Sequence, residues 1–208
     1  ATDADWWGEI DTTPVGNIED RYVAALEFKE VNDVDPGAQA RDTVGGRFIY
    51  HHMIWSTQVV GEDDEQDEKR DRSTTTGWPV HEVGRNADIF DEKAGRKLSA
   101  NSSVVSNSLH LHSNGRDTTG HLEIAWKFHP EGYEPEFRRV GRGLGNALDI
   151  DIRAMEANQE LHAYSVLRQH QKISTFEPHL HAPGQRMCLE AIWGMNIETL
   201  TCVGYDHN

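Results

Sequence analysis

Three groups of histidines carry the chemistry that this chain can do: His51-His52 followed by Met53, His110-Leu111-His112, and His179-Leu180-His181. Each lies in or beside a run that reads as β-strand. Neutral imidazole offers a lone pair near physiological pH, which makes histidine the commonest protein metal ligand. Side chains two apart on a strand share a face and sit about 6.6 Å apart along the backbone, so one ion can bridge them. Metal binding is therefore the expected chemistry. Within the first group the spacing is less favourable. Adjacent side chains on a regular strand point to opposite faces, and His51 and His52 reach one ion together only at a bulge or a strand end. On spacing alone, one of them in the core and the other on the surface is the simpler reading.

The other two pairs have suggestive surroundings. His110 and His112 precede Asn114-Gly115, a tight-turn signal. A two-residue hairpin there places Asp117 opposite His112, as a carboxylate able to hold that imidazole. A polar strand face exposed to water is the alternative. His179 and His181 are flanked by Pro178, Pro183 and Gly184, which suits a rim or turn. Met53, Met187 and Met195 are soft thioethers near these positions and would favour copper(I) over zinc, although apolar packing is the simpler role for each. His81, His121, His129, His162, His170 and His207 read as structural. No Cys-x-x-Cys-His, phosphate loop, Rossmann glycine pattern or nucleophile elbow is present.

The elements that must position these residues read as β-strands. Residues 47–55 are rich in Phe, Ile, Tyr and Trp, and residues 104–112 form a second strand. Residues 122–129 alternate, with Leu122, Ile124, Trp126 and Phe128 facing one way and Glu123, Lys127 and His129 the other, the mark of a half-buried antiparallel strand. Residues 149–153, 160–167 and 172–176 add three short strands. Residues 1–45 are weakly patterned, with Trp6-Trp7 anchoring the N-terminus by packing. Residues 61–76 are a charge-dense, disordered-looking acidic loop, and 130–146 form a Gly/Pro/Arg connector. No helical period is sustained. Short strands separated by polar turns predict an all-β chain, a β-sandwich or jelly roll.

The two cysteines have a shared setting. Residues 186–192 and 197–203 flank a turn at Gly194-Met195-Asn196, and Met195 is the midpoint between Cys188 and Cys202. A hairpin folded there sets the cysteines opposite each other, within reach of a disulfide; two buried free thiols are the alternative. A disulfide implies an oxidising compartment.

Composition narrows the partners. The chain has 208 residues, with 20 basic and 35 acidic side chains and a formal charge of −15. Nucleic acid is thereby an unexpected partner, and cations are favoured. No apolar run of about 20 residues is present to span a membrane. The polar opening Ala1-Thr2-Asp3-Ala4-Asp5 suits a mature secreted protein.

Taken together, these islands resemble a known family. His51-His52-Met53 on a strand, His110 and His112 on a later one and His179-x-His181 beyond resemble the type II copper, ascorbate-dependent monooxygenases, the group of the peptidylglycine and dopamine β-hydroxylating enzymes. The stretches Gly77-Trp78-Pro79-Val80-His81-Glu82-Val83-Gly84-Arg85-Asn86-Ala87-Asp88, His112-Ser113-Asn114-Gly115-Arg116-Asp117 and Phe176-Glu177-Pro178-His179-Leu180-His181-Ala182-Pro183-Gly184 look closest to uncharacterised bacterial secreted members. The resemblance covers residues 46–208 as islands.

It implies two jelly-roll domains, one at about 1–150 and the start of a second at 151–208, with one copper each. His51, His52 and His112, with His110 as the alternate, would hold an electron-relaying copper. His179 and His181 would hold the copper at which oxygen reacts and a C–H bond of a small-molecule or peptide substrate is hydroxylated. The family's methionine ligand at that second site has no counterpart here. The incomplete second jelly roll would need a partner chain or further polypeptide against its open edge. A copper-binding or structural subunit without turnover and a zinc-dependent hydrolase are the competing expectations.

Overall fold

The computed structural model describes residues 5–35, 48–59, 74–144, 151–180 and 184–205. No helix occurs among them; the chain is all-β, as expected. Twelve strands follow in order: β1 (Trp6–Gly8), β2 (Thr13–Pro14), β3 (Arg21–Asn32), β4 (Tyr50–Val59), β5 (Thr76–Gly77), β6 (His81–Glu82), β7 (Ala87–Ile89), β8 (Arg96–Leu98), β9 (Ser102–Leu111), β10 (Gly120–Phe128), β11 (Arg186–Trp193) and β12 (Asn196–Gly204). They fall in two compact units, residues 1–140 and 141–208, which divide inside the Gly/Pro/Arg connector. Most of the acidic loop, residues 60–73, lies outside the described residues, and Thr76–Gly77 at its end forms β5.

The first unit is a β-sandwich. One sheet has the order β1-β9-β4-β5, with β2 also on β9 and β6 also on β4. The other has the order β10-β3-β7, with β8 also on β3. Alternation supplies one apolar face to each. β3 buries Val23, Leu26 and Phe28 and exposes Glu27 and Lys29, while β4 buries Met53 and Trp55, and β9 buries Val104 and Leu109. Leu122, Ile124, Trp126 and Phe128 of β10 pack against this core, following the expected alternation. Aromatic rings join the layers: Phe28 meets Trp55 at 5.5 Å, and Trp126 lies 5.9 Å from Trp55 and 5.0 Å from Trp78. Both buried indoles on the β4 side are satisfied, Trp55 Nε1 donating to Pro79 O and Trp78 Nε1 to Thr57 Oγ1.

The long β3 had no strong signal in the sequence. Ala24-Ala25-Leu26 and Glu27 suit a helix as well as a strand, and pairing with β10, β7 and β8 decides the matter. The reverse occurs in the second unit. Residues 160–167 and 172–176, read as strands, carry no strand, and neither do residues 151–153; residues 149 and 150 lie outside the described residues. Tyr164 and Val166 there are three-quarters exposed. β-propensity alone does not hold a strand that has no neighbour to pair with and no core to face.

The hairpin of β11 and β12 forms as expected, with Cys188 opposite Cys202 and the two joined by a disulfide. The turn is one residue tighter than predicted. Trp193 pairs Asn196, leaving Gly194-Met195 at the tip, and Gly194 adopts a φ of 58°, open to glycine without steric cost. An unpaired Leu200 on β12 then restores the register, so the cysteines still face each other.

His81 on β6 is buried against Phe28 at 4.7 Å, and its Nδ1 has no hydrogen-bond partner. Burial, with Arg85 nearby, pushes its pKa down from 6.5 to about 4. The unfolded chain therefore binds the proton first as pH falls, so stability is complete above 6.5 and is lost progressively down to about 4. On acidification from pH 7 to pH 4, wild type should lose about 3 kcal/mol more than His81→Leu, read as the change in the urea-unfolding difference between them. The disulfide closes a short loop in a hairpin with little core beneath it, worth about 3 kcal/mol in the chain-entropy model. Reduction should abolish amide-exchange protection in β11 and β12 while β4 and β9 retain theirs.

Candidate metal centre

The antiparallel pairing of β4 with β9 assembles the histidines of the first unit. Met53 opposite Leu109 points into the core, so His52 opposite His110 points to the other face of the sheet. Tyr50 pairs Leu111 and His52 pairs His110, which leaves His51 as an extra residue, a β-bulge. The bulge resolves the difficulty of adjacent histidines. Instead of pointing inward with Met53, the His51 ring stacks on His112 at 3.8 Å and meets the edge of His110 at 4.8 Å.

Backbone contacts hold this corner. Val83 N donates to His51 O and His112 N donates to Ile49 O. Across the sandwich, the Glu30 carboxylate accepts from Ile49 N and Tyr50 N, fixing the start of β4. One imidazole nitrogen from each of His51, His110 and His112 lies within 4.8 Å of the others. Two nitrogens each bonded to one ion at about 2.0–2.1 Å are separated by at most about 4 Å, so side-chain adjustments of under about 1 Å bring the three to one ion.

The resulting set differs from that implied by the resemblance. His110, the alternate ligand, lies with His51 and His112, and His52, expected with them, is not part of that trio. His52 is buried beside them, its ring 5.1 Å from those of His51 and His110 and 5.1 Å from Trp7. His179 is exposed in a segment without a strand, and His181 lies outside the described residues, so no second centre is assembled from that pair among the described residues. Met53 is a core residue, and Met195 is fully exposed at the hairpin tip. His121 and His162 are exposed beside Glu123 and Glu160.

Trp7 of β1 and Asp5, just before it, complete the surroundings. Trp7 is opposite His110 in the β1–β9 register, and its indole stacks on that imidazole at 3.7 Å with an interplanar angle of 11°. Asp5 reaches the same side. Its Oδ1 accepts from Ser113 N at 2.9 Å, and its Oδ2 lies 3.2 Å from His110 Nε2 and 3.8 Å from His112 Nε2. The Ser113 N–H, aided by His110 and His112, holds the Asp5 carboxyl below its ordinary pKa. Burial lowers His112 below 6.5, with the neighbouring His110 adding to the effect and Asp5 opposing it.

Asp117, expected as the supporting carboxylate, is not opposite His112. β9 and β10 lie in different sheets, so the Asn114-Gly115 turn links the layers and does not close a hairpin. Asn114 is buried in that turn, its Oδ1 accepting from Arg116 N and its Nδ2 donating to Thr118 Oγ1. Asp5 is the carboxylate that lies beside His110 and His112, from a segment that carried no metal-ligand motif. The repeated Trp6-Trp7 was the only nearby signal.

Comparison with protein-family models, curated proteins and solved structures returned no match. Substituting any one of His51, His110 or His112 by Ala should weaken Cu(II) binding in a competition titration by at least the roughly 10–100-fold that losing even a supporting residue produces. His121→Ala and His162→Ala should leave it unchanged.

Proposed function

We propose that this chain is a copper-binding protein whose site at His51, His110 and His112 takes up and passes on single electrons. This is the part played by the first copper of the ascorbate-dependent monooxygenases that the sequence resembles. The observation that carries the reading is the convergence of three imidazoles, one of them turned by a bulge, onto a common point. The buried Nδ1 of His110, which has no hydrogen-bond partner, fits a bound cation. An all-imidazole set suits copper, zinc, iron and nickel, and affinity among the divalent ions peaks at copper.

His51, His110 and His112 would hold the copper, which would supply one-electron chemistry with a reductant such as ascorbate. The chain's own residues prepare for this. The stacked pairs His51–His112 and Trp7–His110 restrict the imidazole planes, and the indole of Trp7 shields His110 from water. The formal charge of −15 favours a cation.

The same reading makes the sandwich a jelly roll, makes the protein an exported one, in keeping with its disulfide, and assigns His179 and His181 to an oxygen-reacting centre. The supporting argument for that second centre is the sequence resemblance alone.

Elemental analysis of protein purified without added metal tests the proposal. Copper near one equivalent, with ascorbate-driven oxygen uptake above the free-copper background, is expected for the monooxygenase. Copper without such uptake would leave a binding protein without turnover. Zinc in its place would turn the reading to a hydrolase, since three histidines with an open position also form catalytic zinc sites. Protein that neither contains nor takes up metal would overturn the proposal.

A further inference from the structure

We infer that Asp5 is the positioning carboxylate of the three-histidine site, orienting His110 so that its Nδ1 is the nitrogen left for an ion; this rests on the metal reading of that site. An imidazole bound in a site has two degrees of freedom to lose, the tilt of its plane and its rotation within that plane. Trp7 fixes the first for His110, by stacking at 3.7 Å and 11°. Asp5 fixes the second, with Oδ2 at 3.2 Å from Nε2.

The carboxylate is itself anchored. Its other oxygen accepts from the backbone N–H of Ser113 at 2.9 Å, one residue beyond His112. Both ends of the His110–His112 segment are thus tied to one side chain, immediately before β1.

The tie has a consequence for tautomer. An ionised carboxylate only accepts hydrogen bonds, so Nε2 of His110 must carry the proton. Nδ1 then presents a lone pair. That atom is buried without a hydrogen-bond partner in a residue only 6% exposed. Buried acceptors are rarely left unmet, and a cation shared with His51 and His112 is the partner inferred for this one. A carboxylate behind a ligating histidine both orients the ring and raises its basicity. Higher basicity favours Cu(II) over Cu(I), so Asp5 also lowers the reduction potential of a bound copper.

Three measurements on wild type, Asp5→Asn and Asp5→Ala test this. In metal-free protein, nitrogen-edited NMR should show the His110 proton on Nε2 and slow to exchange, a protection lost in Asp5→Ala. Cu(II) affinity should fall about 10–100-fold in Asp5→Ala and by less in Asp5→Asn, which keeps an acceptor oxygen and guards against a folding effect. The Cu(II)/Cu(I) midpoint potential should rise in the same order. A His110 proton on Nδ1 in wild type would overturn the inference, as would affinity and potential unchanged in both variants. If wild type takes up no copper, the electron-relay reading falls, and the metal-free NMR result alone decides the orienting role.

Discussion

The pairing of β4 with β9 is the constraint on which the rest of the first unit depends. Its inner face supplies Met53, Trp55, Val104 and Leu109 to the core, against the rings of β3 and β10. Its outer face carries His52 and His110, and the bulge adds His51. A one-residue slip in a strand pair exchanges its two faces wholesale. The register that closes the sandwich is therefore the register that collects the imidazoles.

The sheet also explains how an exposed face comes to hold a shielded site. β9 is paired on its second side by β1, and Trp7 lies directly across from His110. The indole is half exposed while the imidazole beneath it is buried, so the aromatic ring takes the place of a second layer of protein. Gly8 helps to make room for this arrangement. The Trp6 ring folds across its α-carbon so closely that a Cβ there would overlap the ring carbons.

Strands whose burial follows a local rule were legible in the sequence: β10 by its alternation, β4 and β9 by their aromatic and branched residues, and the β11–β12 hairpin by its turn and opposed cysteines. β3 was not, because Arg21–Asn32 mixes helix-favouring and strand-favouring residues and owes its conformation to neighbours on both sides. Residues 160–167 failed in the opposite sense, with suitable residues and no sheet to join. At the site, residue type announced the histidines, and the need for a bulge at His51 followed from adjacency. His110 followed only as half of a bridging pair and as the alternate ligand, and the presence of Asp5 did not follow. The contact between Asp5 and His110 spans 105 positions in the chain, and no local pattern encodes a partner at that distance.

The bulge at His51 also separates two demands on one strand. On an uninterrupted strand, core and surface positions alternate in lockstep, and any insertion or deletion disturbs both sets. Here the extra residue falls between Tyr50 and Met53, both of which face the core. Loss of residue 51 would close the irregularity between Tyr50 and His52, keep both core residues in phase and remove one imidazole from the trio. A single-residue change in length at this point would therefore alter the trio while leaving the pairing that builds the sandwich in place.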